Sequence, residues 1–127
     1  LTRMDSAMGS ATSFEELLRA ALRIAFEFER PNMDLCRMMT QASTTRDEMF
    51  DGSPTMDRMW EQMVGMFAGA IAGGDMNGSD AEMAAVMFHM TLHGALAEAS
   101  AKNDQAYSRK VEAAVTEMLV NAFVKRK

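Results

Sequence analysis

The chain is 127 residues long, the size of one domain, with 48% hydrophobic and 24% charged residues and no low-complexity tract, so disorder is excluded and a core of its own is within reach. A net charge of −5 leaves nothing to neutralise a run of phosphates, because the one basic cluster is Lys125-Arg126-Lys127, and DNA binding by this chain alone is excluded. The lone Cys36 excludes an internal disulfide, and with no signal peptide and no apolar run of about 18 residues the expected setting is the reducing cytoplasm, with no membrane partner.

Leu1, Met4 and Met8 recur at i, i+3 and i+7 before Gly9, which reads as the end of a helix whose beginning is missing. Because the chain starts on Leu, it is expected to be the downstream part of a longer protein. Ser13-Phe14-Glu15-Glu16 is a capping box that predicts a helix carrying the stripe Phe14, Leu17, Leu18, Ala21, Leu22, Ala25 and Phe28. Pro31 breaks that helix and suits the first turn of a bent continuation over residues 31–42, with Met33, Leu35, Cys36, Met38 and Met39. Residues 43–52 are polar apart from Met49 and Phe50 and read as a connection.

Ser53 as cap and Pro54 at the first helical position open a helix with a broad apolar face, including Met56, Trp60, Met63, Phe67 and Ile71, which Gly73-Gly74 ends. Ser79 with Glu82 predicts a further capping box and a helix over residues 80–101 that is apolar on nearly all sides and so must be buried all round. Ala84, Phe88, Thr91, Ala95 and Ala99 form one stripe on it, and Met83, Met87, Met90 and Gly94 a second. Glu82, His89, His93 and Ser100 share the remaining face. Asn103-Asp104 makes a corner into a last helix over residues 105–124, antiparallel to its predecessor, with Tyr107, Val111, Val115, Met118 and Leu119 on one side. The basic triplet then reads as a last turn that complements the helix dipole.

These elements predict a single all-α domain over residues 1–127, a bundle of about five to six helices. One monomer cannot cover a helix that is apolar all round, so Ala84, Phe88, Thr91, Gly94, Ala95, Val115 and Leu119 are expected to meet a second copy, the last two helices forming a dimeric four-helix bundle. The 15 methionines suit a loosely shaped apolar cavity. Trp60, Met63 and Phe67, at i, i+3 and i+7, with Met87 and Met90 on the neighbouring helix, are its expected lining. Phe28, Met38 and Met39 would close the other wall around a hydrophobic small molecule, although each of these residues also fits plain core.

The order of parts then becomes recognisable: a capped helix, Glu29-Arg30-Pro31 and its continuation, a long aromatic helix ending in Gly73-Gly74, the Ala-rich helix with Leu92-His93-Gly94-Ala95-Leu96, and a final amphipathic helix. It resembles the C-terminal domain of the tetracycline-repressor family of transcriptional regulators. The resemblance implies an effector-sensing and dimerisation domain, a homodimer through the last two helices, and a ligand cavity among the earlier ones. It also implies a repressor whose DNA contact is made only by an N-terminal helix-turn-helix domain that is not in this chain. The alternative is a stand-alone helical small-molecule-binding or scaffold protein.

No catalytic residues, cofactor or metal are expected. There is no nucleophile elbow, phosphate loop or zinc motif, and Glu15, Glu16, Asp57, Glu61, Glu98, Glu112 and Glu117 read as solvated faces. His89 and His93, at i and i+4, have the spacing of a zinc pair, but two ligands are not a site, and their expected place is the dimer seam or a polar rim of the cavity. Cys36, beside Leu35, Met38 and Met39, reads as a buried structural thiol.

Overall fold

The computed structural model describes residues 13–42 and 53–126. The expected helix end near Met8 and the connection at 43–52, with Met49 and Phe50, lie outside the described residues. Within them the fold is all-α: α1 (Phe14–Glu29), a 3-10 turn (Arg30–Asn32), α2 (Met33–Ala42), α3 (Pro54–Ala72), α4 (Ala81–Ala101) and α5 (Gln105–Phe123).

The helices start where side chains can satisfy free backbone N–H groups. Ser13, in extended backbone, accepts from the Glu16 amide at 3.1 Å, and Ser53 accepts from the Met56 amide at 3.2 Å ahead of Pro54. The cap of α4 is Asp80, not Ser79: Asp80 is the extended residue, and its carboxylate accepts from the Met83 amide at 3.0 Å. An Asp is as good a cap as a Ser, so the two adjacent candidates differ only in which one the incoming turn leaves extended. Gly74 (φ 73°) ends the α3 segment, and Asn103 (φ 50°) turns the corner between α4 and α5. The backbone stays helical through Glu29, Arg30 and Met33, so Pro31 tightens one turn and bends the rod without stopping it.

Helix α4 is the axis of the bundle and packs against α1, α2, α3 and α5, which accounts for most of its apolar surface but leaves Met83 and Met87 outside. The core gathers Leu18, Leu22 and Phe26 from α1, Trp60 and Phe67 from α3, Ala84, Ala85 and Phe88 from α4, and Val115, Leu119 and Val120 from α5. Phe67, with no exposed surface, touches Phe14 and Phe88 edge-on at 5.9 and 5.7 Å between ring centroids and Phe123 at 5.1 Å, so one ring joins four helices. The buried stripe of α1 runs through Leu18, Leu22, Phe26 and Glu29, which leaves Phe28 at its outer edge, 51% exposed.

The end of the chain departs from the expected last turn. Val124 is extended and forms an isolated antiparallel bridge with Met76. The Asn77 amide donates to Phe123 at 2.8 Å, and the Lys125 amide donates to Asp75 at 2.9 Å. Arg126 reaches Glu15 at 2.9 Å. Lys125 and Arg126 are thus held by backbone pairing and a surface ion pair, because residues 75–77, after the Gly73-Gly74 turn, present backbone groups that an extended segment can meet and a helical turn cannot.

Candidate functional site

Along the outside of α4 and α5 the two helices leave a groove of about 330 Å³ lined by Thr91, Ala95, Glu98, Val111, Ala114, Val115 and Met118. Only Glu98 among these is charged, and it sits at the rim, where it accepts from the Tyr107 hydroxyl at 2.5 Å. That bond holds the Tyr107 proton above its ordinary range, and the Lys102 ammonium lies 4.1 Å from the Tyr107 ring centroid. The polar end of the groove is therefore internally paired and its floor is apolar. Met118, beside the floor, is 54% exposed, and on α4 Met83 and Met87 are 52% and 49% exposed. Gly94 stands open on this face, with no atom near enough to touch a side chain placed there. A glycine inside a helix destabilises it by about 1 kcal/mol relative to alanine, and nothing in this chain's own packing requires one at Gly94. Gly65 and Gly69 on α3 stand equally open, and nothing in the structure explains them.

The expected dimer residues divide. Ala84, Phe88 and Leu119 lie in the chain's own core, at 7%, 2% and 4% exposure, and Val115, at 6%, belongs to that core and also lines the groove. Thr91 and Ala95 line the groove and Gly94 is exposed beside it. The reason is rotational: α1 and α3 cover the Ala84–Phe88 side of α4, and the stripe left outside is the one through Met83, Met87 and Gly94.

The eight expected cavity residues are not brought to one wall. Trp60 and Phe67 are core and Met63 packs half-buried against it, whereas Phe28, Met38, Met39 and Met87 face outward and Met90 is half-buried. Hydrophobic periodicity shows that a residue is apolar and on a face, but does not show which of two apolar faces the other helices take.

A cluster missed by the sequence reading lies where α1 bends into α2. Glu29, with no exposed surface, accepts from the Ser100 hydroxyl at 2.9 Å and from the Ser108 hydroxyl at 2.6 Å, both serines being equally buried. Around it Arg30 pairs with Glu112 at 2.5 Å, Gln105 donates to the Arg30 carbonyl at 2.9 Å, and Arg37 donates to the Ser100 carbonyl at 2.7 Å. Glu112, expected on a solvated face, is thus part of a half-buried pair. The available signal was position: Glu29 continues the buried series Leu18, Leu22, Phe26 at i+3. Cys36 is buried next to this cluster, and burial first, then the charge of Glu29, pushes its thiol up from the usual range.

His89 is 8% exposed, with its ring 6.2 Å from that of half-buried His93, while Glu82 is exposed. Among the described residues no group of three or more His, Cys, Asp or Glu could hold a metal ion. Burial, and secondly the charge of His93, lower the His89 pKa from 6.5, so the unfolded chain takes up this proton before the folded one does. Stability is therefore expected to be flat in this respect above about pH 6.5 and to fall as the pH drops from there toward the folded pKa. Urea midpoints measured between pH 8 and pH 5.5 test this; a His89→Gln variant with the same slope as the parent would remove His89 as its source.

No helix of the described residues is long and apolar enough to cross a membrane. Comparison of the chain with family models, with curated proteins and with solved structures finds no match.

Proposed function

We propose that this chain is a pairing module that forms a two-fold homodimer through the outer face of α4 and α5, and that it serves as the dimerisation and effector-sensing domain of a tetracycline-repressor-like transcriptional regulator. The observation that carries the pairing is the apolar groove, flanked by the exposed Met118, Met83 and Met87 and by the open Gly94. An isologous partner brings the same groove and the same methionines, so each chain's Met118 has an apolar seat on the other, and four helices close the seam. Flexible methionine side chains adapt to such a self-complementary fit. The regulatory role rests on the resemblance in helix order, with DNA contacted by an N-terminal domain outside this chain.

Sedimentation equilibrium tests the pairing. A dimer that persists at micromolar concentration is expected, since a stable permanent interface buries on the order of 2,000 Å² or more. A monomer of 14.0 kDa under those conditions overturns it.

The effector part of the reading rests on α3, where Trp60 and Met63 meet the core beside half-buried Met66 and Val64. A hydrophobic effector entering there displaces flexible methionine side chains before it disturbs a ring. Trp60 is the only tryptophan and reports directly. Apolar and cationic hydrophobic dyes are expected to shift its emission and raise the melting temperature by mass action, as any ligand that binds only the folded chain must. A broad panel that moves neither signal removes the effector part and leaves the pairing standing.

A further inference from the structure

We propose that Glu29, Ser100 and Ser108 form a polar latch that holds the bend between α1 and α2 against the α4–α5 corner, and that the latch opens as a unit, releasing α2 while the rest of the bundle stays folded. The inference concerns one chain and does not depend on the pairing or effector readings.

The geometry is that of a closed catch. One carboxylate at the end of α1 uses both oxygens, one for a hydroxyl of α4 and one for a hydroxyl of α5, and all three side chains are fully buried. None of the three can shift alone, because a buried polar atom that loses its partner is strongly disfavoured. The network is therefore either complete or hydrated, and intermediate positions are unstable. The three surrounding tethers, Arg30 to Glu112, Gln105 to the Arg30 carbonyl and Arg37 to the Ser100 carbonyl, join the same two bodies.

Helix α2 lies along α4, yet few of its described side chains are buried. Of the α2 side chains that the structure describes, only Met33 and Cys36 are buried, while Leu35, Met38 and Met39 are 44%, 66% and 49% exposed. Helix α1 by contrast buries Phe14, Leu18, Leu22 and Phe26. An element with little buried apolar surface opens at a lower free energy than the core, and hydrogen bonds exchanged for bonds to water offset most of their own loss. Pro31, in the tight turn between the two helices, places the pivot at the latch itself.

Cys36 supplies the readout. It is the only cysteine, it lies on α2 beside Glu29, and at 6% exposure it reacts only when α2 leaves α4. The full chain is treated with an aromatic disulfide reagent at several urea concentrations below the unfolding transition. The labelling rate of the parent is expected to depend only shallowly on urea, the mark of an opening that exposes little surface. Glu29→Ala, which removes both acceptors, is expected to raise the rate roughly tenfold or more. Glu29→Gln, which keeps the shape and can both accept and donate, should stay near the parent. If Glu29→Ala does not fold, Ser108→Ala carries the same comparison with one bond removed. A parent rate that rises with urea as steeply as global unfolding overturns the proposal, and so do substitutions that leave the rate unchanged.

Discussion

Replacing Phe67 with alanine is expected to lower stability by about 3–5 kcal/mol, a large part of the roughly 5–15 kcal/mol that separates folded from unfolded domains. The reason is its place in the bundle. Its ring has no exposed surface and meets Phe14 of α1, Phe88 of α4 and Phe123 of α5, so truncation takes contacts from three neighbouring helices at once. Rings in such edge-on and tilted pairs contribute about 0.5–1.5 kcal/mol beyond the area they bury. A close-packed helical interior recovers little of the lost volume by collapse. Phe28→Ala is the control: the same residue type, 51% exposed, should change stability by well under half as much. Urea unfolding of both variants decides the matter, and equal losses would mean that Phe67 is not the junction of the core.

The second large effect separates folding from pairing on adjacent residues of α5. Leu119, 4% exposed in a single chain, is expected to unfold the protein when changed to arginine, because a charge in that core finds no partner and no water. Met118, 54% exposed at the edge of the groove, should accept glutamate without loss of helical content. In the homodimer proposed above, Met118→Glu places one charge per protomer in the seam. An unpaired charge kept from water there opposes association by several kcal/mol. The expected outcome is a folded 14.0 kDa monomer by sedimentation and a normal far-ultraviolet spectrum. A Met118→Glu protein that remains dimeric would place the pairing surface elsewhere.

Much of the fold was legible because it rests on local chemistry. Ser13 and Ser53 cap as their spacing predicts and Asn103-Asp104 turns the chain back between α4 and α5, whereas Pro31, expected to break its helix, only tightens one turn of the helical path. The candidate site was less legible. The sequence shows that α4 is apolar on all sides but cannot show which apolar side its own neighbours take. That rotation moved Phe88 inward and Met87 outward. The Glu29 cluster escaped for a related reason: its partners Ser100 and Ser108 are 71 and 79 residues away, and only the folded bundle brings them together. The pairing of Lys125 with Asp75 is equally non-local, and a basic triplet at a helix end gives no sign of it.

The antiparallel bridge between Met76 and Val124 also sets an order on biosynthesis. The α3–α4 turn is translated before the groups that meet it, the carbonyls of Ala122 and Phe123 and the amide of Lys125, which follow only after α4 and nearly all of α5 have been made. A nascent chain stalled anywhere before residue 122 therefore carries an open turn with unmet backbone groups, however well its first helices have formed. Closure of this end of the domain is a late event, which waits until residues 122–125 have left the exit tunnel. Codon-level slowing within α5 would lengthen the time during which the turn stands exposed to chaperones and proteases.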